Sequence, residues 1–129
     1  MRQPFFSLPL FLLTLACAAV PAAARAADYG KTTDIQTVRT TESAALQTEV
    51  PPVQRGILAV TVSNIVVAGN YAICSYSVGE SAGYSVYARS RGRGWKRISH
   101  GGDAPTKPSL RKLGVPEHSI AAIAAHGGM

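Results

Sequence analysis

Cysteine is scarce in this 129-residue chain, which carries only Cys17 and Cys74. Cys17 falls inside the opening apolar stretch, so the remainder holds one thiol and an internal disulfide is excluded. Stability must come from packing. Aromatic residues make up 7% of the chain, with Trp95 the single tryptophan, and charged residues 16%. No internal repeat and no low-complexity segment appears after the opening stretch. Long apolar runs are missing too: Phe5 to Val20 is too short, and too promptly followed by small residues, to be a spanning helix.

What that stretch does resemble is an export signal. Met1 and Arg2 give a basic start, and Ala24-Arg25-Ala26 matches the small-residue cleavage pattern, so residues 1–26 read as a secretory signal peptide and the mature chain is expected to begin near Ala27. Thr14-Leu15-Ala16-Cys17 lacks the leucine that precedes an acylated cysteine by three positions, which favours cleavage over lipidation. The expected location is the periplasm or the extracellular medium, with no transmembrane segment after signal removal. Without Arg2 and Arg25 the 13 basic residues become 11 against 7 acidic ones. A mildly basic surplus of that size does not mark a nucleic-acid binder.

Residues 27–52 form a polar, threonine-rich segment closed by a proline linker. Asp34 is placed to cap a helix with Ile35, Val38, Glu42 and Ala45 along one side, and Val50-Pro51-Pro52 stops it. Residues 53–129 read as a small α+β domain. Strands are expected over Ile57–Ala68, Tyr71–Val78, Tyr84–Arg89 and Trp95–His100, a four-stranded antiparallel meander. Ala68-Gly69-Asn70, Gly79 to Gly83 and Arg91 to Gly94 supply the turns. Parity groups Leu58, Val60 and Val62, then Ala72, Cys74, Tyr76 and Val78, then Tyr84, Val86 and Ala88 on buried sides, with a helix covering that face. Two short C-terminal helices follow, one opening at Pro108 and ending at Gly114, the other opening at Pro116 and carrying Ile120, Ala121, Ile123 and Ala124. Gly127-Gly128 ends the second and frees the tail.

Candidate chemistry is sparse. Cys74, His100 and Asp103 contain a nucleophile, a base and an orienting carboxylate. Cys74 nevertheless falls on the inner side of its strand, where a thiol acts as a small hydrophobe, so no catalytic residue is assigned. His100, His118 and His126, with Met129, are ligand types for copper or zinc, although their spacing is no metal signature. Glu80 and Asp103 are expected near one sheet end without a partner that would make them an acid-base pair. The densest charge feature is Arg89, Arg91, Arg93, Lys96 and Arg97 around Trp95. On a hairpin, Arg91, Arg93, Trp95, Lys96 and Arg97 form a candidate surface for phosphates, acidic lipid headgroups or an acidic partner protein, with Trp95 adding a stacking face.

Val67-Ala68-Gly69-Asn70-Tyr71-Ala72, Gly79-Glu80-Ser81-Ala82-Gly83, Gly94-Trp95-Lys96, Gly101-Gly102-Asp103 and Leu113-Gly114-Val115-Pro116 together resemble small exported bacterial proteins labelled copper uptake system-associated. The resemblance covers about half of the chain and implies a periplasmic role near copper transport, with copper as the implied cofactor or cargo. Members commonly carry a cysteine just before the final Gly-Asp element; this chain has His100-Gly101-Gly102-Asp103, a departure that weighs against a thiol-based role. The order of strands and closing helices also resembles cystatin-like and nuclear-transport-factor-like α+β domains, which bears on architecture rather than activity.

The expectation is therefore an exported, non-enzymatic accessory or binding protein associated with copper uptake or homeostasis. Two alternatives stand beside it. One is a protein-binding or inhibitor-like module that uses the basic hairpin on an envelope or secreted partner; the other is an enzyme built on Cys74 and His100.

Overall fold

The computed structural model describes residues 28–129. The predicted leader, with Cys17 and the cleavage motif, lies outside those residues. Helix α1 (Thr32–Glu49) is followed by strands β1 (Val60–Ala68), β2 (Tyr71–Val78), β3 (Ser81–Ser90) and β4 (Gly94–Gly101), then helices α2 (Lys107–Lys112) and α3 (Glu117–Ala125). The strands form one antiparallel sheet in the order β1-β2-β3-β4. This is the expected α+β arrangement of an N-terminal helix, a meander and short closing helices. Among the described residues no helix is long and apolar enough to cross a membrane.

Helix α1 starts earlier than Asp34. Lys31 occupies its N-cap without a side-chain hydrogen bond, and Asp34 instead binds Arg89 Nη1 at 2.7 Å. The threonines are accommodated because Thr37 and Thr41 donate their hydroxyls to carbonyls one turn back, at 2.9 and 2.7 Å. Those bonds satisfy side chains that would otherwise compete with the helix. Val50 turns extended ahead of Pro51, as the sequence predicts.

Two strand boundaries differ from expectation by three residues. β1 begins at Val60, leaving Ile57 exposed. The second turn is the tight pair Gly79-Glu80, so that Val78 faces Ser81 and β3 begins three residues before Tyr84. Gly79 adopts a positive φ of 57°, which a short hairpin connection requires and which glycine adopts without a steric penalty.

The larger correction concerns the faces. The sheet is covered on both sides. On one side Ile35 and Val38 of α1 pack against Ile65, Val67, Ala72, Cys74 and Tyr87. On the other, Leu110, Val115, Ile120 and Ile123 pack against Val66, Ala68, Ile73 and Val86. Tyr84, Val86 and Ala88 thus do not share a face with Ala72 and Cys74, because the register sets Val86 opposite Ile73 and Tyr87 opposite Ala72.

A β-bulge sets which residues of β1 face each core. The register jumps between Ser63 and Val66, and Asn64 sits at φ 52°. One extra residue inverts the alternation, so Val62 and Ile65 reach the α1 side while Val66 and Ala68 reach the α3 side. Ile65 through Ala68 are all buried.

The tail is not free. After α3, Gly127 turns at φ 80° and Gly128 N–H donates to Ile123 O at 2.9 Å, the bonding of a Schellman cap. Gly128 is buried, and a Cβ there would lie within 2.7 Å of Ile73 and Ile123 methyls.

Candidate functional site

Helix α1 lays Glu42 over the sheet, and the side chain is fully buried. An ionised carboxylate there needs donors and a counter-charge. β3 supplies two donors from one face, since Ser85 and Tyr87 are two residues apart. Ser85 Oγ donates to Glu42 Oε1 at 2.6 Å, and the Tyr87 hydroxyl donates to Oε2. β4 supplies the charge: Arg97 Nε donates to Oε2 at 3.1 Å. Nη2 lies 2.9 Å from the same oxygen but makes no hydrogen bond of proper geometry.

The set continues toward solvent. Arg97 Nη1 pairs with Glu49 Oε1 at 2.7 Å, near the end of α1. His100 Nδ1 lies 2.9 Å from Ser85 Oγ, its Nε2 lies 3.4 Å from Glu49 Oε2, and its ring stacks on Tyr76 with centroids 4.7 Å apart. Because the Ser85 proton is committed to Glu42, Nδ1 is the donor to Ser85. Tyr76 is held in place beside Gly83, where any Cβ would collide with its ring.

Arg97 and His100 share this face only because of a second bulge. Tyr87 faces Arg97 and Ser85 faces His100, with the register shifting between Val86 and Tyr87. In an unbroken strand, residues three apart point to opposite faces. Parity reading of the sequence therefore missed the cluster, even though Glu42 was on the predicted inner stripe of its helix.

The electrostatics fit a structural tie. Burial opposes the Arg97 charge, but the hydrogen bonds with Glu49, Glu42 and Tyr87 outweigh it and push the guanidinium above its ordinary range. Burial, reinforced by the bond to Glu42, raises the Tyr87 phenol. Cys74 sits opposite Ser85 in the register and is fully buried; burial, with Glu42 adding to it, pushes its thiol up to about 12. A thiol so placed is neutral at physiological pH and reaches no substrate.

Ser85, His100 and Glu49 form a chain of hydroxyl, imidazole and carboxylate, the residue types of a hydrolytic triad. Their geometry is wrong for that role. Ser85 has no solvent exposure, and its proton is directed to Glu42 rather than to the imidazole. The Cys74, His100 and Asp103 set is not assembled either. β3 stands between Cys74 and His100, and Asp103 lies in the loop after β4.

The three histidines do not converge. His100 belongs to the α1 side of the sheet, whereas His118 is exposed on α3 across the other face. His126, at the end of α3, stacks on Tyr29 at 3.4 Å between centroids. Among the described residues no group of three or more His, Cys, Asp or Glu side chains is placed to hold a metal ion.

The basic hairpin is divided by the fold. Arg97 is drawn into the pairs with Glu42 and Glu49, so it does not belong to the predicted partner surface. Trp95 is half-buried against the α1-side core, with Arg89 stacked 4.8 Å above its ring. Arg91 and Arg93 are exposed at the turn and Lys96 is exposed on β4. None of these three makes an ion pair with the described residues, whereas Arg39, Arg89, Arg97 and Arg111 are all paired with carboxylates.

Two cavities border this region. A groove of about 540 Å³ lies between the end of the sheet and α2, floored by Tyr84, Val86 and Leu113 and rimmed by Asp103, Thr106, Ser109 and Lys112. A smaller pocket of about 210 Å³ lies under the end of α1, between Leu46, Val50, Leu58, Tyr76 and His100.

Comparison with known proteins gives no match, whether against protein-family models, curated proteins or solved structures.

Proposed function

We propose that this chain is an exported, non-enzymatic binding protein that engages an acidic partner protein of the cell envelope through its β3–β4 hairpin. The observation that carries the reading is the distribution of charge. The cations near the core are neutralised by carboxylates, while Arg91, Arg93 and Lys96, near one end of the sheet, have no ion-pair partner among the described residues. Like charges gathered on a hairpin attract an oppositely charged surface and speed its encounter. The sealed positions of Cys74 and Ser85 support a binding role over nucleophilic catalysis.

Immobilised protein is expected to retain envelope proteins that elute with added salt, and Arg91→Glu combined with Arg93→Glu is expected to abolish that retention. Retention unaffected by both salt and the charge reversals would overturn the reading.

The residue resemblance sets the proposed role beside copper transport, as an accessory that contacts a transport component. Direct ligation by His100, His118 and His126 draws no support from their separate positions. Calorimetric titration with Cu(I) and Cu(II), with Zn(II) as competitor, tests this. The expected result is no stoichiometric uptake; tight uptake lost on replacing the histidines would replace the accessory reading with a metal-binding one.

A further inference from the structure

The two edges of the sheet are treated differently. At the β1 edge, Tyr29 forms a parallel bridge to Val66: its N–H donates to Ile65 O at 2.8 Å and its carbonyl accepts from Val67 N–H at 2.7 Å. Asp28 adds a bond to the Ile65 N–H at 2.9 Å. The β4 edge has no such cover among the described residues. Its backbone pairs with β3 on one side, and no strand lies on the other.

An open strand edge is a row of unpaired donors and acceptors, the template that β-strand addition uses. β4 has no proline that would forbid pairing. Its first half, before the Ile98 bulge, adjoins the unpaired cations Arg91, Arg93 and Lys96.

We infer that an extended acidic segment of a partner protein adds to the sheet as a fifth strand along the Gly94–Ile98 half of β4. The inference rests on the binding reading above and specifies its mode. Charge selects the occupant. A second copy of this chain pairing antiparallel through the Gly94–Ile98 half would set Lys96 against Lys96, and like charges directly opposed across a strand pair are destabilising. Acidic side chains alternating along an added strand would meet those cations instead. The main-chain ladder supplies affinity and the alternating side chains supply selectivity.

The test uses the purified protein and three short blocked peptides of alternating sequence: Glu-Val, Lys-Val and Glu-Pro. In the Glu-Pro peptide the glutamate amides are also N-methylated, so it carries the same charge but has no backbone N–H with which to form the ladder. The Glu-Val peptide is expected to bind, to slow hydrogen exchange of amides within Gly94–Gly101, and to bind about tenfold more tightly than either control at low salt. Arg91→Glu with Arg93→Glu, both at exposed turn positions, is expected to remove the preference over the Lys-Val peptide.

Equal binding of Glu-Val and Glu-Pro without protection of β4 would overturn strand addition while leaving the hairpin as an acidic-partner surface. Failure of both acidic peptides to bind would overturn both readings. Concentration-dependent dimerisation that protects β4 without peptide would assign the edge to a second copy, and would also overturn the inference.

Discussion

Glu42 remains away from water because two hydroxyls and a guanidinium face its carboxylate. Breaking a buried pair leaves one charge uncompensated, so Arg97→Met is expected to cost about 3–5 kcal/mol in urea unfolding. Adding Glu42→Leu to that variant is expected to recover much of the loss, because the stranded carboxylate goes too. Glu49 is half exposed, and Glu49→Gln is expected to cost no more than about 1 kcal/mol. A loss of that small size for Arg97→Met would show that the pair is solvated.

Cys74 gives a pH dependence with a definite sign. Its folded thiol titrates near 12 against an ordinary 9.0, so the folded state favours the neutral form. The corresponding stability is complete below about pH 9 and is lost as pH rises from there toward 12. Tyr87, raised from its ordinary 10.0, acts in the same direction at the alkaline end. Unfolding midpoints followed across that range should fall, and Cys74→Ala should reduce the fall. Iodoacetamide at pH 8 is expected to modify Cys74 only after unfolding; rapid modification of the native protein would contradict the burial.

At the scale of elements, the places where sequence reading succeeded are those governed by local chemistry. The proline stop after α1, the glycine turns after β1 and β3 and the proline openings of the last helices depend on residues a few positions apart, and those patterns are visible in one dimension. Bulges are different. They are set by pairing between distant strands, so a period of two read along β1 or β4 gives the wrong face after Ser63 and at Ile98. Asn64 was the available signal in β1: an asparagine within a β-branched run tolerates the left-handed backbone that it adopts at φ 52°. No comparable residue marks the bulge at Ile98, which is why the joining of Arg97 and His100 over Glu42 was hidden. The uncapped start of α1 yields another expectation. Lys31→Ser supplies the missing acceptor, and thermal unfolding should show a gain of about 0.5–1 kcal/mol.

For the whole molecule, the sequence conveyed the order of elements but placed one covered face where there are two. Grouping only one parity of each strand as buried leaves out the second face, which Ile73 and Tyr87 show to be covered as well. The candidate site was half legible. Arg91, Arg93 and Lys96 were recognisable from their density, while the removal of Arg97 from that surface depended on Glu42 and Glu49 crossing over from α1. What results is a sheet bridged by Tyr29 at Val66 on its β1 edge, with its β4 edge open among the described residues and Arg91 and Arg93 beside it.

Trp95 is the only tryptophan, and it stands at the start of β4 beneath Arg89. Its emission reports on the surface proposed to bind. The most direct measurement is a titration of Trp95 fluorescence with poly-glutamate at low and at high salt, on the unaltered protein and on the Arg91→Glu, Arg93→Glu variant. The binding account requires a saturable change at low salt that weakens as salt is added and is absent from the variant. Emission unchanged at low salt, or a response equal in the variant, would contradict it.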